Sequence, residues 1–444
     1  MIIPDEKGTY KLSLLLNESA CKILELIDCA HTISEVVQML AEIYGEPAEL
    51  IHPKVEPFIN ELITQGILVQ AASSPLTGRL KVTGSREFLV PLHLAVELTY
   101  KCNLRCLHCY GNYGPKTGRF INVDLFQHVL REFYALGLIS LELTGGEPTF
   151  HPNWRFFIEF ALNEVGVLHV GLITNGTLIL QQDIEFLRMY RDSFSVQVDL
   201  HGSNAEYVDY FTRGQGVFHR QVQLIKVLCD NGIRTRVVMC ATPSSLNQVY
   251  EVAKIAKSFG ATSFGVSPVI PMGRAITKKH ALILNDSQLE LLNNIIIELQ
   301  NIYGKDFIYT VENILRPLQR FGNLFSESAV FDCGAGYRSL AIAPDGSIKI
   351  CQMSPQYMKL GKLTLKSSIK KILEDLPLLK FANIRPPDAE VCGSCKNLTY
   401  CGGCKVRGYL KANASSWRCN WGSRNLEMIK PVMESGNKKN VHCN

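Results

Sequence analysis

The stretch KCNLRCLHCY, residues 101–110, sets Cys102, Cys106 and Cys109 in a C-x3-C-x2-C pattern directly after HLAVELT, 93–99, which reads as a strand. With fifteen cysteines in 444 residues, about 0.02 such triplets are expected by chance. Three buried thiols acting as small apolar side chains would leave that spacing without a reason. Three thiolates can hold three irons of a [4Fe–4S] cluster, whose usual complement is four cysteines, so one iron stays open to another ligand.

Outward from this loop the chain repeats strand, loop, helix. Further strands are expected at 139–144 (ISLELT), 168–174, 194–200, 234–241 and 263–269, with amphipathic helical segments between them such as Val123 to Leu136 and Leu246 to Phe259. Alternating β and α predicts a parallel sheet, wound open or as a full or partial barrel, and six units favour a partial (β/α)6 barrel. In such folds ligands bind at the carboxyl ends of the strands, where the cysteine loop falls. A helix is expected at 288–303, with Asn285, Asp286 and Ser287 as cap candidates.

Residues 1–70 predict a small winged-helix domain. Ala20, Ile23, Leu24 and Ile27 share one helix face, and Ile33, Val36, Val37 and Leu40 repeat the spacing. Thr32 and Glu35 form a capping box, Val55, Phe58, Ile59 and Leu62 give a third helix, Gly66 ends it, and 67–69 reads as a strand. Residues 71–89 read as a linker, 90–275 as the barrel, 276–330 as a bridge, 331–430 as a cysteine-rich domain and 431–444 as a tail. After 331 apolar periodicity fades, which suggests a domain held by metal.

A hydrophobic content of 46% allows substantial cores. A net charge of +5 with short lysine pairs argues against a nucleic-acid partner. Asp5, Glu6 and Lys7 sit where a signal peptide needs an apolar run, and no stretch is long enough to span a membrane, so a cytoplasmic protein is expected. In a reducing compartment cysteines point to metal or redox chemistry before disulfides.

The second cysteine set is Cys333, Cys351, Cys392, Cys395, Cys401, Cys404 and Cys419, around CGSCKNLTYCGGC. A zinc ribbon is the simplest alternative for paired C-x2-C. Cys21, Cys29, Cys229, Cys240 and Cys443 have no partner spacing and read as simple thiols, and His151, His201 and His219 as structural or surface residues.

Taken with Thr144-Gly145-Gly146-Glu147-Pro148 after the second strand, the first cysteine motif resembles the radical S-adenosylmethionine (SAM) superfamily. The resemblance implies a SAM molecule chelated by the open iron and cleaved to a 5′-deoxyadenosyl radical. Cys102, Cys106 and Cys109 would be the catalytic cluster ligands, and Gly145, Gly146, Glu147 and Pro148 would flank the methionyl group, with Glu147 helping to hold its ammonium. Thr174 and Asn175 would lie on the ribose side. Asp199 stands where relatives often have serine and His201 where they have aspartate, and Arg213 takes the place of an arginine for the SAM carboxylate. Cys333 and Cys351, with Gly346 between them, resemble the opening of a SPASM domain. That implies a distal [4Fe–4S] cluster on Cys392, Cys395, Cys401 and Cys419 and an inner one on Cys333, Cys351 and Cys404, three clusters in all; with no further cysteine in 325–332, the inner one keeps an open iron that a substrate thiolate could take.

The whole chain is similar to SPASM-bearing maturases of ribosomally made peptides, above all the sactipeptide branch that joins cysteine sulfur to an α-carbon. The first 70 residues then resemble a PqqD-like domain that recognises the precursor's leader, and a low-potential donor such as flavodoxin or ferredoxin would supply electrons. Epimerisation, carbon–carbon crosslinking and tetrapyrrole decarboxylation are the alternatives within the superfamily. A non-catalytic iron–sulfur carrier would need neither the glycine turn nor an open iron.

Overall fold

The computed structural model describes residues 2–4, 10–13, 18–27, 31–64, 68, 88–111, 113–116, 118–309, 334–355, 358–376, 384–416 and 418–434. The chain forms two compact units, Met1–Gly84 and Ser85–Asn444.

In the first unit three helices, α1 (Glu18–Leu26), α2 (Ile33–Tyr44) and α3 (Ala48–Thr64), follow an antiparallel hairpin of β1 (Ile2–Pro4) and β2 (Tyr10–Ser13). The capping box forms as expected: the Glu35 amide donates to Thr32 Oγ1 (3.3 Å) and the Thr32 amide to Glu35 Oε2 (2.7 Å). Ile23, Val36, Val37, Leu40, Ile51, Val55 and Ile59 make the core. The hairpin was not expected, because three- and four-residue strands are too short to show a period. Gly66, the strand expected at 67–69 apart from Leu68, and the linker as far as residue 87 lie outside the described residues.

The second unit is built on β3 (His93–Thr99), β4 (Ser140–Gly145), β5 (His169–Thr174), β6 (Phe194–Asp199), β7 (Arg234–Ala241) and β8 (Ser263–Pro268). These six pair in parallel in chain order, and no end differs from its expected position by more than one residue. Their runs are legible because one face is apolar throughout: Leu94, Val96, Leu141, Leu143, Val170, Leu172, Val196 and Val198 share it and are all buried. Helix α4 (Val123–Leu136) starts at Asn122, whose side chain accepts from the Leu125 amide, and stops at Gly137 in the left-handed region. The helix expected at 288–303 spans Asp286–Tyr303 and is capped by Asn285 and Gln288.

The sheet continues at both edges, with β9 (Ile308–Tyr309) beside β8 and β10 (Ser339–Ile342), β11 (Ser347–Lys349) and β12 (Lys359–Lys362) beyond β3. Among the described residues no ladder joins β9 to β12, so the parallel strands form a partial (β/α)6 barrel. The region after 331 also shares sheet and apolar packing with the barrel. Strand β10 pairs in parallel with β3, from Ser339 opposite His93 to Ile342 opposite Val96. Leu340, Ile342, Ile348, Ile350, Ile384 and Trp421 belong to the same apolar core as the barrel.

Candidate active site

The loop after β3 carries Cys102, Cys106 and Cys109 into a cavity of about 1300 Å³. Its backbone is held from two sides. The carbonyls of Phe211 and Thr212, at the end of α7 (Ala205–Thr212), accept from the Leu107 and Arg105 amides at 2.9 and 3.1 Å. The carbonyls of Cys106, Cys109 and Tyr113 accept from Arg274. Burial pushes the Cys102 thiol up to about 12, with Glu147 adding to it, and raises Cys106 well above its ordinary value. These thiols hold their protons until a metal displaces them.

Gly145 and Gly146 lie against this loop. A Cβ on Gly146 would meet the Lys101 carbonyl oxygen at 2.3 Å, and one on Gly145 the Thr99 oxygen at 2.4 Å, so only glycine allows the approach. Glu147 does not present its carboxylate to the cavity. It is fully buried, and its oxygens accept from the Thr149 hydroxyl and amide, the Thr174 hydroxyl (2.7 Å) and the Asn175 amide (2.8 Å). Glu147 thus braces the glycine turn to the end of β5, and Pro148 behind it opens a 3-10 turn. The glycine backbone, Thr174 and Asn175 are what face the cavity, with Asn175 Nδ2 3.7 Å from Cys102 Sγ.

Asp199 also lines the cavity and accepts from Gln197 Nε2 at 2.9 Å. Burial pushes it up to about 7. Arg213 lies elsewhere: it is exposed, closes α7 in the left-handed conformation (φ 54°), and is not among the cavity-lining residues.

Cys351 and Cys404 line the same cavity as the first three cysteines, whereas Cys392, Cys395, Cys401 and Cys419 surround a second one of about 330 Å³. Cys333 lies outside the described residues. Among the described residues only His108, His201 and Cys240 bring three potential ligand atoms within 4.8 Å of one another. Among the described residues no three cysteine sulfurs come that close, whereas a tetrahedral zinc with sulfurs at ~2.3 Å would set them about 3.8 Å apart. Four thiols around one small cavity, spread wider than a zinc needs, fit a polynuclear cluster better than a zinc ribbon.

The His108, His201 and Cys240 group was invisible to spacing, since its members sit on three separate strand ends. His201 Nδ1 accepts from the Cys240 amide at 3.2 Å, so in the neutral ring the proton is on Nε2. Burial holds both imidazoles neutral, His108 at about 4.

Two buried charges were also missed. Lys349 Nζ donates to Glu97 Oε1 at 2.7 Å, with both side chains at most 1% exposed. Tyr113 donates to the same oxygen at 2.7 Å, and Lys349 also to the Gln352 carbonyl at 3.0 Å. One ion pair therefore reaches both cysteine loops.

A parallel α/β barrel with three thiols on the loop after its first strand and a second site of four cysteines points to iron–sulfur chemistry. The profile of the radical SAM superfamily matches residues 96–272, that of coenzyme PQQ synthesis protein D residues 1–68, and that of the SPASM iron–sulfur cluster-binding domain residues 333–396. The chain is 27% identical over 418 residues to the antilisterial bacteriocin subtilosin biosynthesis protein AlbA of Bacillus subtilis, covering 91% of this chain and 88% of that one. Streptococcus suis SuiB bound to S-adenosylmethionine shares the fold, with a TM-score of 0.60 at 17% identity over 90% of this chain and 91% of that one. SuiB bound to precursor peptide SuiA gives 0.58 at 18% over 81% and 87%. The chain thus carries a radical SAM domain and a SPASM domain and is an enzyme of the peptide-maturase kind, whose domains bind [4Fe–4S] clusters. Among the described residues no helix is long and apolar enough to cross a membrane.

Proposed function

We propose that this enzyme modifies a ribosomally synthesised precursor peptide, joining cysteine sulfur to an α-carbon. The observation that carries the reading is the single cavity lined both by Cys102, Cys106 and Cys109 and by Cys351 and Cys404. Its volume of about 1300 Å³ exceeds the ~300–1,000 Å³ of an ordinary small-molecule site, leaving room for a peptide segment beside a cofactor. The likeness to a subtilosin biosynthesis protein favours the thioether, and the PqqD-type domain together with the peptide-bound SuiB fold favours a leader-bearing substrate.

In this reading Cys102, Cys106 and Cys109 would hold the cluster that binds SAM, Cys351 and Cys404 with Cys333 the inner one, and Cys392, Cys395, Cys401 and Cys419 the distal one. Cluster and SAM together supply the one-electron chemistry that removes a hydrogen atom from a substrate carbon. The chain's own part is placement. The Gly145–Gly146 backbone flanks the methionyl end, Thr174 and Asn175 lie on the ribose side, Asp199 offers an acceptor to a ribose hydroxyl, and Glu147 fixes the distance from the glycine turn to Asn175. Gly393, Ser394 and Lys396 are exposed around the distal cysteines, a place for a flavodoxin- or ferredoxin-type donor to dock.

The test is to incubate reduced, cluster-loaded enzyme with SAM and a cysteine-bearing precursor and read the peptide by mass spectrometry. Each thioether lowers the mass by two hydrogens. Unchanged mass with one solvent deuterium retained per modified residue would replace this reading with epimerisation.

A further inference from the structure

Gly273 and Arg274 follow β8 and meet the first cysteine loop from across the cavity. A Cβ on Gly273 (φ 53°) would stand 2.2 Å from the Cys109 carbonyl oxygen and 2.4 Å from that of Tyr110, so the two backbones touch only because residue 273 is glycine. That contact seats Arg274. Its amide donates to Cys109 O at 3.0 Å, Nε to Cys106 O at 2.8 Å and Nη1 to Tyr113 O at 2.7 Å. Three carbonyls of one loop thus converge on a single residue, 168 positions along the chain from Cys106. A guanidinium is suited to this, since its donors are fixed in a plane and it stays charged. Arg274 lines the cavity beside Cys106 and Cys109, and α7 holds the same loop by its amides from the other side.

We propose that Gly273–Arg274 is a positioning element that sets the Cys102–Cys109 loop in its ligand-bearing shape, so that the barrel cluster is retained and stays electronically matched to SAM. This rests on the reading that these cysteines hold that cluster. The arginine ties down three carbonyls of the loop and brings a positive charge to it, so it acts through the loop.

The test compares Arg274→Gln, Arg274→Lys and Gly273→Ala with wild type in the full-length, reconstituted protein. Iron release to a chelator is followed alongside the resonance signal of the reduced protein that responds to added SAM. Arg274→Gln and Gly273→Ala are expected to release iron from the SAM-responsive cluster ~10- to 100-fold faster, the range for partners one shell out from a metal. The auxiliary clusters and, for Arg274→Gln, the melting of the metal-free protein should stay at wild-type values. Arg274→Lys, which keeps the charge and loses the fork, should recover part of the retention. Release at the wild-type rate from Arg274→Gln overturns the proposal, and so does equal loss from all clusters with a lowered melting point, which would make the residue merely structural. The control is the triple Cys102→Ala, Cys106→Ala, Cys109→Ala variant. If it keeps its SAM-responsive signal, the underlying cluster assignment is what fails.

Discussion

Replacing Lys349 by methionine would leave the Glu97 carboxylate buried, with a single hydrogen bond from Tyr113 to Oε1. Its second oxygen, Oε2, has no hydrogen-bond partner even with the lysine in place. Removing one member of a fully desolvated pair costs about 3–5 kcal/mol, because the other charge is stranded. Replacing both members costs far less. Glu97→Gln combined with Lys349→Met is therefore expected to regain most of the loss while keeping an acceptor for Tyr113. All three tryptophans, Trp154, Trp417 and Trp421, fall in the second unit, so their fluorescence reports its unfolding without signal from residues 1–84. With a urea slope of ~2–3 kcal/mol/M, the single variant should shift the midpoint down by about 1–2 M. A cost below ~1 kcal/mol for Lys349→Met, or a double variant as unstable as the sum of the singles, would refute the idea that these groups form one desolvated unit.

The glycine turn gives a sharper expectation. Gly146→Ala drives a methyl group to 2.3 Å from the Lys101 carbonyl and should lower SAM cleavage, measured as 5′-deoxyadenosine, at least ~100-fold, since a displacement of about 1 Å is enough for that. Asp199 gives one that depends on pH. Burial raises its folded pKa from 3.8 to about 7, so the folded state holds that proton more tightly than the unfolded state. The stability tied to it is full below about pH 4 and is lost as pH rises toward 7. Asp199→Asn escapes that loss, so its advantage over wild type in urea titrations of the metal-free protein should be nil at pH 4 and reach at most about 4 kcal/mol at pH 8. An equal difference at both pH values would mean the carboxyl is not desolvated.

The sequence was most legible where local pattern and global role coincide. Strands β3 to β6 place a buried apolar residue at every second position, so their period is plain, and β4, β5 and β6 end at Gly145, just before Asn175 and at Asp199. The cysteines declared themselves by spacing, because a short loop must place several thiols around one group. What stayed hidden is pairing over distance. Glu97 and Lys349 are 252 residues apart, and neither sits in a motif. Arg274 reads as one more basic residue until its three carbonyl partners are seen. Strands β10 to β12 have three or four residues each, too few for a period, and what defines them is pairing: β10 with β3, β11 with β10 and β12 with β11. Glu147 shows the reverse case: its motif was legible and its direction was not, because the hydroxyls and amide that occupy it come from Thr149, Thr174 and Asn175.

The two accessory regions should also behave differently when removed. Residues 1–84 form a compact unit with their own core. A variant lacking them is expected to keep its clusters and cleave SAM while modifying precursor poorly. Residues 331–444 are not separable in that way. Strand β10 pairs with β3 along four positions, Ser339 to Ile342, and β3 carries both Glu97 and the cysteine loop. Cutting at 331 would bare the β3 edge, a template for intermolecular pairing, and would strand Glu97 in the core without Lys349. Loss of the carboxyl-terminal part should therefore give aggregated protein, in contrast to the soluble amino-terminal deletion, with size-exclusion chromatography and soluble yield as the measures. A monodisperse barrel lacking 331–444 that still cleaves SAM would show that the shared sheet is an accessory to the active site and not part of its foundation.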